Sequence, residues 1–135
     1  MTPVTGDAPT VTWLEAPEEH DYPAAASYLR MVADDAAVDE IVARLRTAGT
    51  VTQKAKDILR ASRLELLDRD NVHVAADLHK IAHRQGLSPI LLVRGDLGAG
   101  LPLVIADGYH RVCASYYSDE DTDIPCRLVP APGAR

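Results

Sequence analysis

The sequence predicts a small α/β (α+β) protein in which an N-terminal helical extension packs on a mixed sheet. The second half of the chain reads as helix, strand, loop, strand, helix and strand, an order typical of α/β proteins. The chain has 135 residues, 47% of them hydrophobic, which suits one domain with its own core. Because aromatic residues make up only 4% and Phe is absent, we expect a core of small aliphatic side chains.

The N-terminal portion, residues 1–63, is predicted to be mainly helical. The stretch TVTWLEA (10–16) alternates well enough for one short strand. Helices are predicted over 21–33, in the segment that ends at Gly49, and from Thr52 onward, because apolar residues recur there at helical spacing.

The core portion, residues 64–129, is predicted to supply the sheet, and the whole chain, 1–135, is expected to form one domain. The Pro- and Gly-rich ends, 1–9 and 130–135, are expected to be flexible. The predicted elements of the core portion are a short strand at LELL, a helix that ends at Gly86, strands at SPILLVRG (88–95) and PLVIADG (102–108), a helix from Tyr109 to about Ser118, and a strand at IPCRLV (124–129).

Charge and composition restrict the partners. A net charge of -6 argues against a protein that coats DNA, although small anionic ligands fit it. No apolar run approaches about 18 residues, so we expect a cytoplasmic protein that does not enter a membrane. Cys113 and Cys126 are expected to be buried and reduced, and His79 with His83 lacks the further ligands of a metal site.

The segment IADGYHR is the strongest candidate site, because a strand runs there through Asp107 and Gly108 into a helix. A helix N-terminus directs unpaired N–H groups outward and favours anions, so Arg111 near it is unfavourable by about 0.3–1 kcal/mol unless a phosphate binds. Asp107 can cap the helix, and Gly108 permits a tight turn or close approach by a ligand. The alternative is that Arg111 pairs with Asp107 or another carboxylate and that His110 is a surface residue.

A second cationic spot lies in the predicted helix that starts at Thr52. Lys56, Arg60 and Arg63 recur there at helical spacing. They can supply further phosphate contacts or dock an acidic partner; the alternative is a solvated face neutralised by Asp57 and Glu65.

The stretch from Leu64 to Val129 resembles the N-terminal domain of ParB-type partition proteins and the related sulfiredoxins and free-serine kinases. In that superfamily a helix ending in Gly leads to a Pro-Ile strand, then to a strand ending in Gly-x-x-Arg, a helix with small residues and a strand near a Pro. GLSPILLVR, ADGYHRVCA and IPCRLV occupy these places in order. Tyr109 stands where sulfiredoxins carry a reactive Cys, which argues against sulfinic acid repair, and the Pro-Arg box of ParB proteins is absent.

The resemblance implies nucleotide binding by Gly108, Tyr109, His110 and Arg111, with ATP or CTP and Mg²⁺ as the cofactors. Nucleotide hydrolysis or phosphotransfer would need a catalytic base, for which Asp107 is the candidate, so the question of an enzyme stays open. The rival hypothesis is a non-catalytic adaptor that binds a protein or a nucleic acid through Lys56, Arg60 and Arg63. A homodimer or a protein partner is compatible with either.

Overall fold

The computed structural model describes residues 10–133, and these form five helices and a four-stranded mixed sheet. The predicted α/β class is therefore confirmed. In chain order the elements are α1 (Asp21–Leu29), α2 (Asp35–Thr47), β1 (Thr50–Lys54), α3 (Ala55–Ser62), α4 (Val72–Ala82), β2 (Ile90–Arg94), β3 (Val104–Asp107), α5 (Tyr109–Ser118) and β4 (Asp123–Pro130).

The sheet has the strand order β1-β4-β2-β3. Strand β2 is parallel to β4 and antiparallel to β3, and β1 is antiparallel to β4. Helix α5 connects β3 to β4 across β2, so the chain turns from the β3 edge of the sheet directly into the start of α5.

Helices cover both faces of the sheet. Leu91 and Val93 of β2 pack in one cluster with α1 and α2, and Ile90 and Leu92 pack in the other with α3, α4 and α5. Strand β2 is therefore buried on both sides, which explains its uninterrupted apolar sequence. The largest fully buried side chains of residues 10–133 are Leu, Ile and Val, as the composition predicted.

Two helices begin at side-chain caps. Asp34 accepts a hydrogen bond from the Ala37 amide at 2.8 Å at the start of α2. Asn71 accepts from the His73 and Val74 amides at 3.0 and 3.2 Å at the start of α4. Each cap satisfies N–H groups that the helix itself leaves unpaired.

The prediction of a helix from Thr52 was wrong for its first three residues. Residues Thr50–Lys54 form β1, which pairs with β4 along its whole length, and the helix starts at Ala55. Strand β1 is an edge strand and Val51 is 43% exposed, so no alternation of buried and exposed residues marks it in the sequence. The sheet therefore takes one strand from the segment 1–63 and does not lie within 64–129 alone.

The two short strands predicted at the margins differ as well. TVTWLEA contributes one bridge, between Trp13 and Leu87, and LELL is irregular. At the C-terminal end Pro130 closes β4, whereas 1–9 and 134–135, where flexible ends were predicted, lie outside the described residues. Within 10–133, the helices are too short or too polar to cross a membrane.

Candidate functional site

The turn from β3 into α5 leaves the start of that helix without a side-chain cap. Gly108 occupies the N-cap position with φ 112° and ψ 17°, and no side-chain oxygen of residues 10–133 caps the helix. The prediction that Asp107 caps α5 was therefore wrong, because its carboxylate is bonded to a guanidinium instead. The amides of the first turn remain available to an acceptor from outside.

Arg111 is folded inward against carboxylates. Its Nη2 donates to Asp107 Oδ2 at 2.9 Å, and its Nη1 lies 3.8 Å from Oδ1 of Asp21 in α1. The Arg111 side chain is only 16% exposed and that of Asp21 is 3% exposed. The pairing alternative for Arg111 is the one that the structure shows, and Arg111 links α5, β3 and α1.

Two carboxylates share this one guanidinium. Burial raises the pKa of Asp107, the charge and hydrogen bond of Arg111 oppose that rise, and neighbouring Asp21 adds to it. Asp107 is thus engaged on one side by Arg111 and on the other by Asp21. Although Asp107 lines the cleft, it is a poor candidate for the catalytic base, because its carboxylate is already bonded to the Arg111 guanidinium.

A cleft of about 270 Å³ opens between α4 and the start of α5. It is lined by the predicted residues Asp107, Gly108, His110 and Arg111, and α4 adds three polar side chains that the sequence analysis did not single out. These are His73, Asp77 and Lys80.

The three α4 residues lie on one face of the helix, at positions i, i+4 and i+7. The adjacent face, about a quarter turn round the helix, carries Val74 and Ile81, which are buried in the core. This periodicity was the available signal, since it marks a polar face of α4. That this face lies beside the start of α5 depends on tertiary packing, which the sequence pattern does not contain.

His110 and His73 lie close to each other across the cleft, with ring centroids 4.7 Å apart. Burial lowers the pKa of His110, and the neighbouring His73 and Arg111 lower it further, while Asp77 opposes them. At neutral pH the neutral imidazole of His110 is thereby favoured, and an anion placed beside it would favour the charged form.

Asp77 is partly buried in the same cleft and makes no ion pair with any described residue. Burial raises its pKa, although the nearby charges of Arg111, Lys80, His110 and His73 act in the opposite direction. Lys80 is exposed and is likewise without an ion pair within residues 10–133. The cleft therefore contains one ammonium and one carboxylate that are free of partners in the described chain.

Tyr109 points away from the cleft. Its hydroxyl donates a hydrogen bond to the Glu65 carbonyl at 2.5 Å, and its ring packs against the core on the α3 side of the sheet. Of the four predicted residues from Gly108 to Arg111, Tyr109 is the one whose side chain does not line the cleft.

Lys56, Arg60 and Arg63 line a different cleft, of about 630 Å³, against the C-terminal half of α5. The two clefts share no residue, since one opens at the start of α5 and the other lies beside Tyr116 in the C-terminal half of that helix. The structure therefore does not bring these three cations to the same ligand as Gly108 to Arg111.

Cys113 and Cys126 are free and buried, as predicted. Burial raises the pKa of Cys126 to about 12 and also raises that of Cys113. Residues 10–133 contain no group of three or more His, Cys, Asp or Glu side chains arranged to hold a metal ion.

No family model, curated protein or solved structure matches the chain.

Proposed function

We propose that the cleft between α4 and α5 binds a small anionic ligand, and specifically the phosphate of a nucleotide such as ATP or CTP. One observation carries the proposal: the uncapped first turn of α5 opens into a cleft that also contains the unpaired Lys80. Backbone N–H groups, the positive end of the helix dipole and an ammonium group would then act on one negative charge.

The residues have different roles in this proposal. The amides that follow Gly108 donate to phosphate oxygens, and Lys80 supplies the mobile positive charge. His110 adds charge when an anion is bound. Arg111 stays bonded to Asp107 and acts as a positioning residue, since its guanidinium fixes the turn from which those amides point.

The resemblance to the ParB and sulfiredoxin superfamily supports the same site, because its Gly-x-x-Arg segment corresponds to Gly108–Arg111. Membership of that superfamily is part of the proposal. The role of the motif arginine differs in this proposal. Because Arg111 is folded inward, Lys80 on α4 supplies the direct cationic contact to the phosphate.

Asp77 favours one class of anionic ligand over another. A carboxylate beside a phosphate weakens binding unless the ligand offers it a hydrogen-bond donor. A nucleotide has sugar hydroxyls that can donate, whereas a fully ionised inorganic anion such as sulfate has none and is expected to bind more weakly than a nucleotide. If the cleft also supports hydrolysis or phosphotransfer, Asp77 is better placed than Asp107 to accept a proton, because it is not bonded to Arg111.

Replacing Lys80 with Gln is expected to weaken nucleotide binding about tenfold, since it removes a charge-assisted hydrogen bond. Isothermal titration of the whole chain with ATP, CTP, GTP and their diphosphates measures the effect. The matched control is Lys54→Gln, which removes the same charge from β1 at the opposite edge of the sheet. Equal affinities for both variants, or no heat from any nucleotide with the unchanged protein, would contradict the proposal.

Anion affinity is expected to rise as the pH falls from about 8 to about 6, because the His110 imidazole gains charge as the pH falls and a bound anion favours that charged form. Burial lowers the pKa of His110 in the free protein, and a bound anion stabilises its charged form, so protonation and binding reinforce each other. The groups that face His110 are His73, Asp77 and Lys80 from α4 and Arg111 from its own helix. Sulfate is the probe, because its own charge is constant over this range.

The control for the pH series is His110→Asn, which keeps a polar side chain and removes the titration. We expect the rise in sulfate affinity to shrink in this variant. An unchanged pH response in the variant would show that groups other than His110 control anion binding.

A further inference from the structure

The cleft on the α3 side of α5 is a second potential binding surface, distinct from the proposed anion site. We call it the basic groove. It combines cations with apolar side chains, and the residues that define it are Lys56, Arg60, Arg63, Leu64, Leu66 and Tyr116.

The cations of the basic groove differ in how far they are already neutralised. Lys56 is bonded to Asp121 at 2.7 Å, and Glu120 lines the same end. Arg60 lies 3.9 Å from Asp57 and its side chain is 83% exposed. Because such an exposed pair is worth little, Arg60 keeps most of its charge available to a partner.

Arg63 extends this charge toward the loop between β2 and β3. Its Nη1 donates to the Gly100 carbonyl at 3.4 Å, and no carboxylate of residues 10–133 pairs with it. Residues 53–63 carry four cations against the single Asp57, so this segment is +3 in a chain whose net charge is -6. The uncompensated charge is concentrated at the Arg60 and Arg63 end.

Exposed leucines line the basic groove and also lie in the loop that Arg63 contacts. Leu64 is 41% exposed and Leu66 is 36% exposed. The loop that Arg63 touches carries Leu97 and Leu101, which are 97% and 60% exposed. Exposed aliphatic side chains beside cations that are unpaired or only weakly paired are typical of a protein interaction surface and unusual for a purely solvated face.

We propose that the basic groove binds an acidic, leucine-containing segment of a partner protein. Carboxylates of that segment pair with Arg60 and Arg63, and its leucines cover Leu64 and Leu66. A nucleic acid would meet the same cations, but it would leave the leucines exposed and would approach a protein of net charge -6. This binding is independent of the anion cleft at the other end of α5.

The test measures fluorescence anisotropy with a labelled twelve-residue helical peptide made of Glu and Leu, in which the leucines recur at i, i+3, i+4 and i+7. Arg60→Glu with Arg63→Glu is expected to weaken binding at least about tenfold, because it replaces attraction by repulsion. The matched control is Arg30→Glu with Arg94→Glu, an equal change of charge outside the groove, and it should leave the affinity within about twofold. Circular dichroism verifies that both variants fold.

Comparison probes decide between occupants. The proposal requires that two variant peptides bind more weakly than the parent peptide. In one variant Lys replaces every Glu, and in the other Ser replaces every Leu. Tighter binding of a single-stranded oligonucleotide, or absence of peptide binding at about 1 mM, overturns it. It is also overturned if sedimentation shows a dimer of the unchanged protein that Arg60→Glu with Arg63→Glu dissociates, because a second copy would then occupy the groove.

Discussion

Replacing Arg111 with Met is expected to lower the free energy of unfolding by about 3–5 kcal/mol, the cost typical of removing one partner from a buried ion pair. The guanidinium lies between Asp107 and Asp21, and without it the partly buried carboxylate of Asp107 faces the buried carboxylate of Asp21. Urea unfolding followed by circular dichroism at about pH 7 measures the loss. Arg94→Met, at an exposed arginine without an ion pair in the described chain, is the matched control and should change stability by no more than about 0.5 kcal/mol.

The loss should be partly recovered in two ways. Asp107→Asn removes one of the two charges, so the double variant should be more stable than Arg111→Met alone.

In the Arg111→Met variant the folded-state pKa of Asp107 lies above its unfolded value, since burial already raises that pKa with Arg111 present. Its stability contribution is present below the unfolded pKa and is lost as the pH rises through the folded pKa. The difference from the unchanged protein should therefore be smaller at about pH 4 than at pH 7, and a loss below about 1 kcal/mol at pH 7 would show that Arg111 is not a buried link.

Replacing Gly108 with Ala is expected to cost about 2–4 kcal/mol, the sum of an unfavourable backbone conformation and of steric overlap. The φ of 112° is one that residues with a Cβ rarely adopt. An added Cβ would lie 2.4 Å from Cδ1 of Ile90 and 2.8 Å from Nη2 of Arg111. It would therefore disturb both the buried strand β2 and the guanidinium that fixes the turn.

The matched control for this variant is Gly49→Ala. A Cβ at Gly49 meets no atom within 4 Å, and so its stability should change by no more than about 0.5 kcal/mol. Thermal unfolding of both variants gives the comparison. Equal stability of the two would mean that the turn after β3 adjusts to a side chain, and the fixed direction of the α5 amides would then be in doubt.

The sequence predicted best the elements whose signals are local. Strand β2 is apolar throughout because it is buried on both faces, and α5 was expected from Tyr109 to about Ser118, where it lies. Strand β1 was missed because its side chains are exposed and its hydrogen bonds to β4 hold it in the sheet. The sequence of such an exposed edge strand shows no alternation of apolar and polar residues from which a strand could be predicted.

The residues of the candidate site likewise fall into those with a local sequence signal and those whose position depends on tertiary packing. Gly108, His110 and Arg111 were found because the change from strand to helix is visible within a few residues. Lys80 and Asp77 were missed as site residues because their position depends on how α4 packs against α5. Asp21 could not be foreseen as a partner of Arg111, because a distant part of the chain brings it there.

The most direct test of anion binding in the cleft between α4 and α5 is an NMR titration of the protein with ADP or ATP, in which the chemical shifts of the α5 backbone amides are followed. The proposal predicts that the largest shifts fall on the amides from Tyr109 to Arg111, together with side-chain resonances of Lys80, and that residues of α3 stay unchanged. If those amides do not move, or if the largest shifts fall instead on Lys56, Arg60 and Arg63, the cleft between α4 and α5 is not the phosphate site.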